Sequence, residues 1–239
     1  LVVDVGGGTT DCSMVRMGPQ QRLQLDRQQD FLGHSGERVG GNDLDIQLAG
    51  KALMPLFGML APLKSGLPTP RQVFWNAVST NNVGAQSDFN GQPTQRHLQQ
   101  LLLDTSEPDK LERFIRLRAA KQNHQLVHSA EKSKIALSDA ENTQVDLSYI
   151  EPGLSHSVSR EQFASAIERP VAKVVELMSE AIAQADCQPD LIYITGGTAK
   201  SPVIRRAIEQ RLGGIEVVDG DHFGSVAAGL TVWAEKLFR

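Results

Sequence analysis

A run of apolar, mostly β-branched residues, Leu1 to Val5, stops at Gly6-Gly7-Gly8. A second strand-like run, Cys12-Ser13-Met14-Val15, follows Thr9-Thr10-Asp11. Strand, glycine turn and strand predict a β-hairpin whose tip is nearly bare backbone. Leu23, Leu25, Phe31 and Leu32 suggest further strands of the same sheet. After Val39-Gly40-Gly41-Asn42-Asp43 the apolar positions from Leu44 to Phe57 fall at helical spacing, with Asn42 or Asp43 as the expected N-cap. Residues 58–94, with four prolines and Phe74, Trp75 and Phe89, read as a compact insertion of short elements. Gln95 to Asp104 predicts a short helix, and Glu107 to Ser138 one long helix or two joined ones.

Val145, Leu147 and Tyr149 alternate as a strand, which Leu154 to Val158 can pair across Pro152-Gly153. Ser159-Arg160-Glu161-Gln162 has the form of a capping box, and the helix it opens restarts at Pro170 and runs to about Ala185. Leu191-Ile192-Tyr193-Ile194 is a short apolar strand ending in Thr195-Gly196-Gly197-Thr198, and Ser201-Pro202 starts the next helix. Ile215 to Val218 forms a last strand. A C-terminal helix opens around Phe223 and continues to about Phe238. The expected architecture is α/β with a mixed sheet, interrupted by an inserted α+β region.

Composition narrows the field. At 239 residues, 40% hydrophobic and 22% charged, the chain can bury a sizeable core as one large domain or two small ones. A net charge of −4 and the absence of any lysine/arginine run argue against nucleic-acid binding. No apolar stretch reaches the roughly eighteen residues a membrane span needs. The two cysteines, Cys12 and Cys187, are far apart and make no CxxC, which favours ordinary thiols in a reducing compartment. The chain opens inside a strand, with neither an initiator methionine nor a signal sequence. The expectation is a fragment whose N-terminal part is missing.

Three segments carry candidate chemistry. At the hairpin tip, glycines that take positive φ let successive N–H groups converge on an anion such as phosphate. Asp4 and Asp11 flank that tip, placed to hold Mg²⁺ through its waters or to orient an attacking water, while Thr9 and Thr10 can donate to phosphate oxygens. The plain alternative is a glycine-rich turn with aspartates as turn residues. Gly40-Gly41 before a helix start is a second phosphate-friendly geometry, or simply a tight turn. Gly196-Gly197 ends a buried strand where open α/β sheets bind ligands, although capping or turn needs would also place glycines there. Glu131, Lys134 and Ser138, at i, i+3 and i+7, share a helix face able to meet ribose and further polar atoms of a nucleoside; alone, that face is a solvated one.

Together, in this order, these segments resemble the DnaK-type (seventy-kilodalton heat-shock) chaperones, whose corresponding forms read DLGGGTFD, GGEDFD, ERAKRTLS and GGSTRIP. The resemblance covers nearly the whole chain, more weakly through about 58–125. It implies the second lobe of an actin-like ATPase (ribonuclease H-like) domain, with a core at 1–39 and 159–239 and a lid subdomain at 40–158. It implies a cytoplasmic chaperone using ATP/ADP and Mg²⁺, with a missing N-terminal lobe, co-chaperones and clients as partners.

By the same resemblance Gly6, Gly7, Gly8 and Thr9 hold the β- and γ-phosphates. Asp4 is the catalytic-side carboxylate near Mg²⁺ and water, with Thr9 beside it, and Asp11 orders the metal's water shell. Thr10, Gly40, Gly41, Gly196, Gly197, Thr198 and Lys200 border the nucleotide, and Glu131, Lys134 and Ser138 surround the nucleoside. The departures fall mainly on the adenine side: Ile135 and Lys200 stand for arginines, Asn42 for a glutamate and Phe223 for an aspartate. Gly33-His34-Ser35-Gly36, Trp75-Asn76-Ala77-Val78, Gln86-Ser87-Asp88-Phe89 and Gly224-Ser225-Val226 look like the YegD-type proteins, which are DnaK-like and lack the peptide-binding domain. An actin-like small-molecule kinase, a filament-forming actin relative, and a reactivating chaperone for a cofactor enzyme or a non-hydrolysing nucleotide-binding module are the alternatives.

Overall fold

The opening apolar run and its glycine turn do fold as a hairpin, and the rest of the main sheet is laid beside it. The computed structural model describes residues 1–221 and 224–238, with the backbone alone at residues 22 and 23. The strands are β1 (Val2–Val5), β2 (Thr10–Val15), β3 (Phe31–Glu37), β4 (Asn142–Asp146), β5 (Ser155–Ser159), β6 (Leu191–Thr195) and β7 (Glu216–Asp219). The helices are α1 (Pro19–Leu23), α2 (Gly41–Leu48), α3 (Gln72–Val78), α4 (Val83–Asn90), α5 (Gln92–Asp104), α6 (Pro108–Ala119), α7 (Asn123–Asp139), α8 (Arg160–Ala166), α9 (Glu168–Ala185), α10 (Pro202–Arg211) and α11 (Ser225–Leu237). Two compact units result, Leu1–Asp43 with Glu168–Arg239, and Leu44–Ile167. Their boundaries fall at 43/44 and 167/168, where the sequence suggested 39/40 and 158/159.

In the first unit a five-stranded sheet has the order β3-β2-β1-β6-β7. β1 runs antiparallel to β2 and parallel to β6, β6 parallel to β7, and β2 antiparallel to β3. The apolar runs explain the centre: Val3, Val5, Ile192 and Ile194 are all buried. α9 contributes Val174, Leu177, Met178 and Ala181 to the same core, and the Ser35 hydroxyl of β3 donates to the Leu177 carbonyl at 2.6 Å. Because β1 and β6 are parallel, with Asp4 beside Thr195, the loops after them leave the sheet at the same edge. That is the carboxyl end, where open α/β sheets place their ligands.

The second unit packs its helices around the fully buried Phe57, Phe74, Phe89 and Phe114. The rings of Phe74 and Phe114 stack at 4.4 Å between centroids. Burying such a side chain contributes about 1.5–3 kcal/mol, and the four rings share this core with Phe163 and buried leucines such as Leu98, Leu111, Leu117 and Leu126. β4 and β5 form a separate antiparallel pair.

Several expectations are corrected. Leu23 ends a short helix instead of extending the sheet: Pro19 fits a first helical turn, and of the expected further strands Phe31–Glu37 is the one that joins β2. The helix after Gly40 begins at Gly41, so Asn42 and Asp43 lie inside its first turn. It passes into a π turn at Ala49–Leu53 and a 3₁₀ turn at Met54–Phe57, ending at Gly58 with φ 93°. Pro55 cannot donate within the last turn. The 107–138 segment is two helices, broken where Lys121 takes φ 54°. The capping box at Ser159 and Gln162 is present in full. The expected opening of the last helix at Phe223 lies outside the described residues, and helix is described from Ser225.

Candidate functional site

The hairpin tip is held from one side. Gly6 N–H donates to Thr9 O at 2.9 Å, closing the turn. The carbonyls of Gly6 and Gly7 accept from the first backbone amides of α2, Gly41 N at 2.9 Å and Asn42 N at 2.7 Å. The Thr198 hydroxyl donates to the same Gly6 carbonyl at 2.9 Å. In a trans peptide the carbonyl of one residue and the N–H of the next point in opposite directions, and no peptide here is cis. Tying back the carbonyls of Gly6 and Gly7 therefore turns the N–H groups of Gly7 and Gly8 outward on a common side. The amides of Gly7, Gly8 and Thr9 have no acceptor among the described residues, and all three residues are exposed.

The glycines therefore work differently from the expectation. None of Gly6, Gly7 and Gly8 takes a left-handed φ. A Cβ added at Gly7 or Gly8 would meet nothing closer than the Asn42 side chain, at 3.9 and 4.0 Å. Neither backbone conformation nor internal packing demands glycine at these two positions. A side chain there would instead occupy the space in front of outward amides, which is what a bound anion needs left clear.

Two neighbouring glycines are required for packing. A Cβ on Gly40 would lie 2.8 Å from Gly8 N and 2.9 Å from Gly6 O. At Gly196 it would lie 2.3 Å from Val5 O and 2.6 Å from Asp4 Oδ1, and that residue also takes φ 87°. Both let other segments press against the tip.

Asp4 and Asp11 face each other directly across the hairpin. Burial, and then the charge of Asp11, push the Asp4 carboxyl above its ordinary value. Among the described residues no group of three or more His, Cys, Asp or Glu side chains gathers as a metal cage. Two carboxylates beside an open backbone cradle nevertheless fit Mg²⁺, which commonly takes one or two carboxylates and fills its remaining positions with water and phosphate oxygens. Cys12 is a core thiol: burial, aided by Asp11 and Glu180, pushes it up to about 12. Such a thiol is inert.

Other expected ligands are already committed. Thr10 is fully buried and its hydroxyl donates to Val39 O at 2.8 Å, leaving Thr9 as the free hydroxyl of the pair. The helix start at Gly40-Gly41 is not open, since Gly40 N donates to Asp43 Oδ2 at 2.9 Å and Gly41 N to Gly6 O. Thr198 is buried and bonded to Gly6, while Gly197 begins a 3₁₀ turn that ends at the exposed Lys200.

Glu131, Lys134 and Ser138 lie on α7 in the other unit. Glu131 Oε2 sits 2.9 Å from His128 Nδ1. Lys134 Nζ donates to Asp45 Oδ2 at 2.9 Å and stands 2.8 Å from Oδ1, the two side chains being 13% and 4% exposed. The Ser138 hydroxyl has no partner among the described residues, and Ile135 beside it is 60% exposed. Asp45 is 89 residues from its partner and leaves no local signal in the sequence; Asp43, one of the two expected N-cap residues, instead reaches back from the third helical position to the preceding amide.

A family model described as Hsp70 protein matches residues 100–236, more than half of the chain. The chain belongs to the Hsp70 family, ATP-binding chaperones that use ATP/ADP with Mg²⁺, and its α/β architecture is the actin-like ATPase fold of that family. The match includes α7 and the Gly196 loop but not the hairpin, so the tip geometry is an independent observation. No helix among the described residues is long and apolar enough to cross a membrane.

Proposed function

We propose that this chain is the second, phosphate-gripping lobe of a DnaK-type ATPase domain, close to the YegD-type proteins, and a fragment of a longer cytoplasmic chaperone. The outward amides of Gly7 and Gly8 and the unpaired amide of Thr9, with no side chain over the first two, are the observation that carries the reading. They would receive the β- and γ-phosphates of ATP or ADP, aided by the Thr9 hydroxyl. Asp4, its proton affinity raised, would orient the attacking water and accept hydrogen bonds from it, and Asp11 would hold waters around Mg²⁺. Bound Mg²⁺ supplies charge neutralisation at the terminal phosphates. By resemblance, Glu131, Lys134 and Ser138 meet the nucleoside, Gly41 and Gly197 border ribose and phosphates, and residues 40–158 act as the lid. Co-chaperones and clients would belong to the whole protein.

ATP hydrolysis of this type is positioning plus electrostatics. The resemblance assigns the first phosphate loop and a lysine to a partner lobe, so residues 1–239 alone are expected to hydrolyse ATP negligibly. The test is calorimetric titration of ADP with Mg²⁺ into the full-length protein and its Gly8→Val variant. Loss of binding with unchanged melting supports the reading; equal affinity for both proteins sinks it.

A further inference from the structure

A second polar recess lies within the Leu44–Ile167 unit, between α7 and β4. It encloses about 400 Å³ and is lined by Ser129, Lys132, Ser133, Gln144, Asp146 and Tyr149, among others. Its β4 wall is a strand edge with unused backbone groups. Leu147 N–H donates to Leu154 O at 3.0 Å and Arg160 N–H to Glu141 O at 2.8 Å, flanking a continuous antiparallel register from Asn142↔Ser159 to Asp146↔Ser155. Hydrogen-bonded and non-bonded pairs alternate in such a ladder, so the odd-numbered residues of β4 face β5. The N–H and C=O groups of Asn142, Gln144 and Asp146 then point off the opposite edge, and have no partner among the described residues.

The helical wall supplies side chains suited to a peptide. The Tyr149 hydroxyl lies 3.2 Å from Ser129 Oγ, and Ser133 donates to the Ser129 carbonyl at 2.8 Å, which fixes one hydroxyl-lined side. Lys132 is exposed and its ammonium has no ion-pair partner among the described residues, whereas the nearby His128 is engaged by Glu131. Asp146 is the one carboxylate of the lining, and it accepts from Ser148 N at 2.9 Å. A multiply charged anion would meet that carboxylate; an extended backbone with one acidic side chain would match the open edge and the unpaired lysine.

We propose that the recess between α7 and β4 binds an extended peptide by strand addition to β4, with an acidic side chain of that peptide paired to Lys132. Main-chain hydrogen bonds would give the affinity and Lys132 the selectivity. This site is independent of the nucleotide reading.

The probe is a fluorescein-labelled, capped peptide of sequence Thr-Val-Glu-Val-Thr, followed by anisotropy with the full chain. Saturable binding by about 1 mM peptide is expected, weakened at least tenfold by Lys132→Glu and by exchange of the peptide's Glu for Lys. Methylating alternate peptide amides should abolish it, and Gln144→Pro should weaken it, since proline there removes an outward N–H and no ladder bond. Lys132→Glu, at an exposed helix position, keeps the test valid should the proline variant fold poorly. Absence of saturable binding, equal binding of the methylated peptide, or indifference to Lys132→Glu overturns the proposal.

Discussion

The hairpin tip and the polar face of α7 were both read from the sequence as nucleotide contacts, yet their internal bonding is opposite. At the tip the protein satisfies the carbonyls of Gly6 and Gly7 and leaves the neighbouring amides bare. On α7 the charged groups already have partners: His128 for Glu131 and Asp45 for Lys134. The bare amides at the tip are free to meet an anion, as the proposed nucleotide reading requires. The α7 face is first a structural element, and a ligand would have to share or displace existing bonds. Preorganised donors serve positioning chemistry best because they need no rearrangement when charge arrives.

The largest effect should come from α7. Asp45→Asn leaves Lys134 charged and nearly buried, so unfolding by denaturant should show a loss of about 3–5 kcal/mol. The double variant Asp45→Asn with Lys134→Met should recover much of it, because both charges are then gone. If the single variant costs less than about 1 kcal/mol, the pair is not the structural clamp that separates this face from the tip.

At the tip, Asp4→Asn in the full-length protein should lower ATP turnover by about 10²–10³-fold, in the range seen when one positioned catalytic group is removed. Its effect on stability runs the other way. The Asp4 carboxyl binds its proton more tightly folded than unfolded, chiefly through burial and then Asp11. The resulting stability is fully present below the unfolded-state pKa and is lost as pH rises through the folded-state value. Asparagine abolishes that dependence. Melting curves across this interval should therefore flatten in the variant, with its relative stability greatest on the alkaline side; a parallel pH profile would show that Asp4 is not strained.

These contrasts explain what the sequence could reveal. The hairpin was legible from its apolar runs and turn, and Gly196 from a glycine closing a buried strand. The reason for the tip glycines was not legible, because it depends on Gly41 and Asn42, more than thirty residues away, holding the carbonyls. Thr10 could have been separated from Thr9. It shares strand parity with Cys12 and Met14, so period two places it on the buried face, while Asp11 faces the other way. The Lys134–Asp45 pair carried no such local signal, and neither did Gly40, whose necessity is an approach between distant backbones.

Glycine substitutions sharpen the comparison within the tip itself. Gly196→Ala should cost about 1–3 kcal/mol in thermal or chemical unfolding, since its Cβ would press on Val5 O and its φ of 87° strains any L side chain. Gly7→Ala has free space and ordinary φ, so stability should stay within about 0.5 kcal/mol of the parent or rise slightly. Its ADP affinity should nonetheless fall about tenfold, near 1.4 kcal/mol. Equal stability losses at both positions would mean that the tip is packed, not open.

The smallest and most discriminating test uses the two threonines. Thr10→Val removes a buried hydroxyl that donates to Val39 O and should cost about 1 kcal/mol of stability without changing nucleotide affinity. Thr9→Ala removes an exposed hydroxyl without an internal partner, so its melting temperature should not move while ADP binding weakens a few-fold, roughly 0.5–1 kcal/mol. The two residues are adjacent and chemically alike, so neither general destabilisation nor a diffuse electrostatic change predicts such a crossed result. It requires one side of the strand to face the core and the other a ligand. If both variants lose stability and neither loses affinity, the amides of Gly7 and Gly8 point into solvent for no ligand at all.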